Sequence, residues 1–188
     1  MTIGHPNSGL EEDLVRRVRQ QDKTAMKMLY DTYAGYLTAV CARYVRDDDE
    51  VKDILQEAFI KIFKTMDRFE YRGAGSLKAW MSRIVVNDSL KTLRKKRSLP
   101  LPETLKETAE EEEPDFSGVP VSVIHGMIRN LPDGYRTVFN LFVFEDKSHK
   151  EIASLLGIKE NSSASQLHHA KAQLARWIKD YIKTHDNG

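Results

Sequence analysis

The hydrophobic positions that follow residue 47 repeat with the period of an α-helix. When the residues from Val51 onward are placed around a helix axis at about 100° per residue, the apolar and small side chains fall on one side. They are Val51, Ile54, Leu55, Ala58, Phe59, Ile62 and Met66. The opposite side is polar and carries Asp53, Gln56, Glu57 and Lys64. The pattern therefore predicts an amphipathic helix whose apolar stripe faces a core.

Ile60 breaks this pattern, because it projects from the middle of the polar face. An apolar side chain ringed by carboxylate and amide groups favours a surface that binds another protein. The alternative is a singly exposed isoleucine, which is common on protein surfaces and has no functional meaning. The residues alone leave both interpretations open.

A second long helix is predicted after a glycine-containing loop, with Ser76 as its N-cap. Its apolar stripe changes sides between Ile84 and Val86, which predicts a helix that is bent or packed between two neighbours. Its end, residues 91–97, holds five basic residues in seven, more than a helix C-terminus needs. Beside the aromatic residues of the loop, this run predicts a surface that binds phosphates next to stacking side chains.

The rest of the chain is also periodic with the helical repeat. Two helices are predicted before residue 46, the second capped by Asp22. Four are predicted after residue 119. The third of these opens with a Ser-x-x-Glu capping box at Ser148 and stops at Gly157, and the fourth is capped by Asn161 or Ser162. This spacing is typical of a helix-turn-helix.

Charge divides the chain into three parts, although its net charge is only +1. Residues 1–97 carry +5, residues 98–119 carry −6 and residues 120–188 carry +2. The middle part has three prolines, an acidic block and few large apolar residues, so it cannot bury a core. We therefore predict an all-α chain of two small helical domains, 1–97 and 120–188, joined by an acidic flexible linker, with a disordered tail before residue 10.

Composition excludes several classes of function. No run approaches the roughly eighteen apolar residues of a membrane span, and the N-terminal residues lack a signal-peptide pattern. The single cysteine, Cys41, excludes an internal disulfide and, on its helix stripe, predicts core packing. No P-loop, paired-carboxylate, nucleophile or metal-ligand spacing is present. We therefore expect a cytoplasmic, non-enzymatic protein with no metal ion, cofactor or small-molecule substrate.

Both halves resemble a known family. The first resembles region 2 of the bacterial RNA polymerase sigma factors, in particular the short, two-domain extracytoplasmic-function subfamily. That resemblance rests on Asp-Ile-Leu-Gln-Glu-Ala-Phe at 53–59, followed by Phe69, Arg72, Ser76, Trp80, Arg83, Ile84, Asn87 and Arg94. In the second half, Leu131-Pro132 and Tyr135-Arg136 precede the helix-turn-helix, as they do in sigma region 4.

The resemblance implies a transcription initiation factor that directs core RNA polymerase to promoter DNA. It implies a polymerase-binding surface at Asp53, Gln56, Glu57 and Ile60. It assigns reading and melting of the downstream (−10) element to domain 1, with Tyr71, Arg72, Ser76, Trp80, Asn87, Lys91 and Arg94. It assigns reading of the upstream (−35) element to domain 2, with Arg136, Lys150, Ser162, Ser163, Ala164, Gln166, His169 and Lys171. An anti-sigma factor is the expected antagonist. For the acidic linker, the resemblance implies a path toward the polymerase active-centre cleft and RNA exit channel, whereas the residues alone favour a solvated spacer.

The sequence also departs from the family. Ala164 and Gln166 replace a usual lysine and arginine, which predicts weaker electrostatic contacts upstream. Gln166 is then a candidate for a bidentate contact to adenine, with a solvated helix residue as the alternative. Lys91 stands where the family often has an acid, so the preferred base is expected to differ. For Trp80 the stronger expectation is a core position rather than a stacking platform.

Two other classes of function remain open at this point. A stand-alone helix-turn-helix regulator would bind palindromic operators as a dimer. A helical adaptor between proteins would make no salt-dependent contact with DNA, which the basic run of residues 91–97 disfavours.

Overall fold

The structure, a computed structural model, describes residues 8–96 and 115–185. All regular secondary structure in these two ranges is helical, which confirms the predicted all-α fold. The chain divides into two compact units, Met1–Leu93 and Arg94–Gly188. Most of the predicted linker and of the predicted N-terminal tail lies outside the described residues. The domain limits predicted from the sequence therefore stay predictions.

In its described part, the first unit is built from four α-helices and one 3₁₀ turn. The helices are α1 (Ser8–Arg19), α2 (Lys23–Ala42), α3 (Asp48–Thr65) and α4 (Ser76–Lys96, whose last three residues fall in the second unit), with the 3₁₀ turn at Met66–Arg68. The apolar stripes of the helices meet in a core that includes Leu37, Ile62 and Met81, each fully buried. Helix α2 packs against both α1 and α3.

Helix α4 makes polar contacts with two neighbours. The Sγ of Cys41 in α2 lies 3.4 Å from the Oγ of Ser89, and the Nζ of Lys61 in α3 donates to Asp88 over 2.5 Å. Packing against two helices accounts for the apolar stripe that changes sides along α4. Cys41 is fully buried, and this burial raises the pKa of its thiol. The prediction that Cys41 is a core residue is confirmed.

Side chains determine where the first helices begin. Asp22 caps α2, as predicted, because its carboxylate accepts hydrogen bonds from the N–H groups of Thr24 and Ala25 at 2.8 and 3.2 Å. Asp47 caps α3 in the same way, through the N–H groups of Asp49 and Glu50. The helix therefore begins at Asp48, three residues before the start at Val51 that the sequence predicted. The prediction that Ser76 caps α4 is wrong. Ser76 is already helical, and its hydroxyl donates to the carbonyl oxygen of Gly73 at 2.7 Å.

The second unit contains α5 (Val121–Asn130), α6 (Asp133–Val143), α7 (His149–Leu156) and α8 (Glu160–His185). Helices α6 and α7 both pack on α8, around buried apolar side chains from all three. The predicted capping box is present at Ser148 and Glu151, and Gly157 ends α7 with a left-handed φ of 67°. Asn161 and Ser162 do not cap α8, because the helix already begins at Glu160.

Candidate functional site

The outer face of α3 presents one apolar side chain among polar ones. Ile60 is 47% exposed, and Asp53, Gln56 and Glu57 are exposed on the same helix. Their spacing of three or four residues places them on neighbouring turns of one face. The four side chains therefore form one continuous surface, as the amphipathic pattern predicted.

A groove of about 810 Å³ borders this surface between α2 and α3. Its lining includes Gln56 and Ile60 together with aromatic rings from both helices, namely Tyr30, Phe59 and Phe63. Tyr30 is 50% exposed and its ring centroid lies 4.7 Å from that of Phe59. Exposed aromatic surface next to a charged rim is typical of a protein-binding site.

The loop of residues 69–75 joins the 3₁₀ turn to α4 and is closed by local hydrogen bonds. The backbone N–H of Arg72 donates to the Oγ of Ser76 at 3.2 Å. Gly73 and Gly75 adopt left-handed φ values of 103° and 84°, which side chains with a Cβ rarely adopt. At the start of the loop, the ring of Phe69 lies 5.0 Å from that of Trp80. These contacts give the loop a defined shape beside the first turns of α4.

One side of α4 carries an uninterrupted row of polar and aromatic side chains. Its members follow one another at spacings of three or four residues: Ser76, Trp80, Arg83, Asn87, Lys91 and Arg94. At 1.5 Å per residue the row is about 27 Å long. Ser76 and Trp80 are half-buried, and the later members are exposed. The row can thus offer an aromatic edge, an amide and several cations to a single extended ligand.

In the second unit, a hydrogen bond joins the two helices of the helix-turn-helix. The Nδ1 of His149, in α7, lies 3.0 Å from the Oγ of Ser163, in α8. The ring of His149 also stacks on Phe142 with a centroid distance of 5.0 Å. The outer face at the start of α8 then consists of short or polar side chains: Asn161, Ala164, Ser165 and His168.

Comparison with known proteins identifies the family. Residues 29–99 match the family model described as Sigma-70 region 2, and residues 122–174 match that described as Sigma-70, region 4. The chain is 26% identical over 187 residues to the RNA polymerase sigma-H factor of Pseudomonas aeruginosa, with 92% of this chain and 96% of that protein covered. The chain belongs to the sigma-70 family of RNA polymerase sigma factors. It is a transcription initiation factor, and the family resemblance read from the sequence is confirmed.

Other sigma factors are similar over most of their length. This sigma factor is 28% identical over 182 residues to the ECF RNA polymerase sigma-E factor of Haemophilus influenzae, with 89% of this chain and 95% of that protein covered. A solved structure of CnrH in complex with the cytosolic domain of CnrY superimposes with a TM-score of 0.45 at 17% identity. That superposition covers 89% of this chain and 96% of the matched chain.

Three of the residues predicted for the upstream element are buried in this sigma factor, namely Arg136, Gln166 and Ser163. The Arg136 side chain is only 1% exposed and its Nη2 lies 3.0 Å from the carboxylate of Asp133. Gln166 is 7% exposed, on the inward side of α8. The predictions that Arg136 holds a phosphate and that Gln166 reads a base are therefore wrong. Both side chains lie within the packed interior of the second unit rather than on its surface.

The other residues predicted for the upstream element divide between two sides of α8. Ser163 is fully buried against His149, so its predicted contact with DNA is also wrong. Ala164 is exposed and Lys171 is half-buried on one flank, whereas Ser162 and His169 lie on the other, where the His169 ring stacks on Tyr135 at 5.6 Å. Lys150 is exposed on α7.

Sequence reasoning missed two residues with suitable positions. Arg83 lies in the middle of the exposed row on α4, and Ser165 lies on the outer face of α8 beside His168. The helical period contains this information, because Ser165 lies one residue after the exposed Ala164 and three before the exposed His168. Within the described ranges there is no group of metal-binding side chains, and no helix is long and apolar enough to cross a membrane.

Proposed function

We propose that this sigma factor reads and melts the downstream (−10) promoter element with the loop of residues 69–75 and the exposed row on α4. The row itself carries the proposal, because it joins Trp80, Asn87 and the cations of α4 on one side of a helix. An opened promoter strand needs such groups together: surfaces for stacking, an amide for a base edge and cations for phosphates. Arg72, exposed in the loop, adds a further cation.

The surface on α3 is proposed to bind core RNA polymerase. The exposed Ile60 would enter an apolar pocket on the partner, and Asp53 and Glu57 would face basic side chains around that pocket. An apolar centre with a charged rim is the arrangement in which a few side chains contribute most of the binding energy. The aromatic groove between α2 and α3 extends the same surface.

The second unit is proposed to read the upstream (−35) element with the first turns of α8. The reading face then consists of Asn161, Ala164, Ser165 and His168, a set with no lysine or arginine. Contacts with the DNA backbone would come from Lys150 and Lys171 at its sides. Because cation–phosphate contacts govern the salt dependence of binding, the upstream contacts should add only the contribution of these two lysines to that dependence.

The test is run-off transcription by core polymerase on a library of randomised promoters, with and without this protein. We expect the protein to enrich transcripts from promoters that carry two sequence blocks at a fixed spacing. Asn87→Ala should change base preference in the downstream block alone, and Ser165→Ala in the upstream block alone. The control is Gln20→Ala, which alters an exposed polar side chain directly after α1. It should change the base preference in neither block.

No enrichment over core polymerase alone would contradict the proposal. A homodimer in gel filtration that binds palindromic DNA without polymerase would instead indicate a stand-alone regulator. An anti-sigma factor as antagonist, a cytoplasmic location and the absence of catalysis stay predictions from the family resemblance and the sequence.

A further inference from the structure

A carboxylate in α1 holds the end of the DNA-reading loop that leads into α4. One oxygen of Glu11 accepts a hydrogen bond from the backbone N–H of Gly75 at 3.0 Å. The other accepts a hydrogen bond from the hydroxyl of Tyr33, in α2, at 3.1 Å. A single side chain therefore links α1, α2 and the loop, although Glu11 and Gly75 are 64 residues apart.

An arginine in the same helix holds the other end of the loop. The Nε of Arg19 donates to the carbonyl oxygen of Met66 at 3.3 Å, and its Nη2 donates to the carbonyl oxygen of Phe69. Both acceptors are main-chain atoms, so the contacts restrain the backbone rather than a side chain. Glu11 and Arg19 are eight residues apart, a distance of about 12 Å along a helix.

The helix between these residues is itself fixed. Leu14, Val15 and Val18 are buried in the core of the first unit, where α1 packs on α2. A helix anchored by its buried face therefore presents an acceptor to one end of the loop and a donor to the other. The charged form of Glu11 also affects its neighbours: burial and this negative charge together raise the pKa of Tyr33 to about 12.

We propose that α1 holds the loop of residues 69–75 in the conformation that receives the unwound promoter strand, with Glu11 and Arg19 as positioning residues. This inference rests on the proposed function of the loop. Binding a flexible strand is weakened when the receiving loop must also become ordered. Backbone anchors at both ends remove much of that ordering cost before DNA arrives. Neither residue needs to touch DNA for this role.

The first measurement is hydrogen–deuterium exchange of residues 69–77 in the free full-length protein. Glu11→Ala removes the acceptor for Gly75, and Arg19→Ala removes the donor to Phe69. We expect each to accelerate exchange in this segment by about 5-fold or more, as expected for the loss of one net hydrogen bond. Glu12→Ala and Arg16→Ala, which alter exposed neighbours on the same helix, should leave it unchanged.

The second measurement uses a promoter selected from the library described above. We expect Glu11→Ala and Arg19→Ala to reduce run-off transcription by about 5-fold or more, while affinity for core polymerase stays within about 2-fold of wild type. The milder variant Glu11→Gln keeps a hydrogen-bond acceptor, so its run-off transcription should lie between that of Glu11→Ala and that of the wild type. It also provides the comparison if Glu11→Ala does not fold.

Two results would overturn the inference. The first is unchanged exchange of residues 69–77 in both alanine variants. The second is faster exchange together with transcription equal to that of the Glu12→Ala and Arg16→Ala controls. Failure of the proposed function is recognised separately, because the wild-type protein would then give no promoter-dependent transcript at all.

Discussion

The Nη1 of Arg136 donates a hydrogen bond to the carbonyl oxygen of Arg129 at 3.1 Å, from a side chain that is only 1% exposed. This contact ties the first turn of α6 to the end of α5. The same guanidinium is paired with Asp133 and lies 3.4 Å from the carbonyl oxygen of Leu131. A buried cation with several acceptors holds two helices together, and this explains why Arg136 is a structural residue.

We therefore predict that Arg136→Met destabilises the second unit by about 3 kcal/mol. The variant leaves main-chain acceptors without their charged donor and empties part of a packed site. Urea unfolding of the full chain, followed by a probe in the second unit, measures this change. Arg129→Met alters an exposed side chain and keeps the acceptor carbonyl, so it should cost less than about 0.5 kcal/mol. Equal stability of the two variants would show that Arg136 has no structural role.

The turn of the helix-turn-helix depends on the backbone of Gly157. Its φ of 67° lies in the left-handed region, and a Cβ built there meets no atom within 4 Å. The cost of Gly157→Ala is therefore conformational, about 1–2 kcal/mol. Gly157→Asn should cost less, because asparagine tolerates this conformation better. Thermal unfolding of both variants checks the order, and a larger loss for asparagine would point to a steric cause.

Asp22 makes the first unit sensitive to acid. Hydrogen bonds from Arg17 and from the N–H groups at the start of α2 lower the pKa of its carboxyl below the ordinary value of 3.8. As the pH falls, the unfolded chain takes up this proton first. The stabilisation by Asp22 is therefore complete well above pH 3.8 and is lost as the pH falls through the lower pKa of the folded state.

The variant that tests this acid sensitivity is Asp22→Asn, because asparagine still caps α2 but carries no charge that acid could neutralise. Its urea midpoint should fall less between pH 6 and pH 3 than that of the wild type. Asp31→Asn, at an exposed position on the same helix, should keep the wild-type acid sensitivity. If Asp22→Asn showed the full wild-type loss, other groups would be responsible for it.

The sequence predicted the helices and the surface on α3 because both follow from local periodicity. Ile60 is exposed, as predicted, because the helical period of about 100° per residue places its side chain on the polar face of α3. The same helical period would have predicted that Gln166 is buried, because it lies three residues after buried Ser163 and four before buried Ala170. Its polar side chain and the family pattern led to the opposite prediction.

Contacts between distant residues were beyond any local rule. Nothing in the sequence joins Glu11 to Gly75, because helix periodicity relates residues three or four positions apart and not 64. The same holds for Cys41 and Ser89, where a polar residue occupies a fully buried site on α4. Ser76 was predicted to cap α4, whereas its hydroxyl closes the preceding loop through Gly73.

The most direct test of the account is the affinity of core RNA polymerase for two matched variants. Ile60→Asp and Met28→Asp each place a carboxylate at an apolar side chain that is about half exposed, 47% and 49% respectively, so neither should unfold the protein. We predict that Ile60→Asp weakens the Kd by about 30-fold or more, about 2 kcal/mol, as for the central residue of an interface. Met28→Asp should stay within about 3-fold of wild type. Wild-type affinity for Ile60→Asp would contradict the assignment of α3 as the polymerase-binding surface.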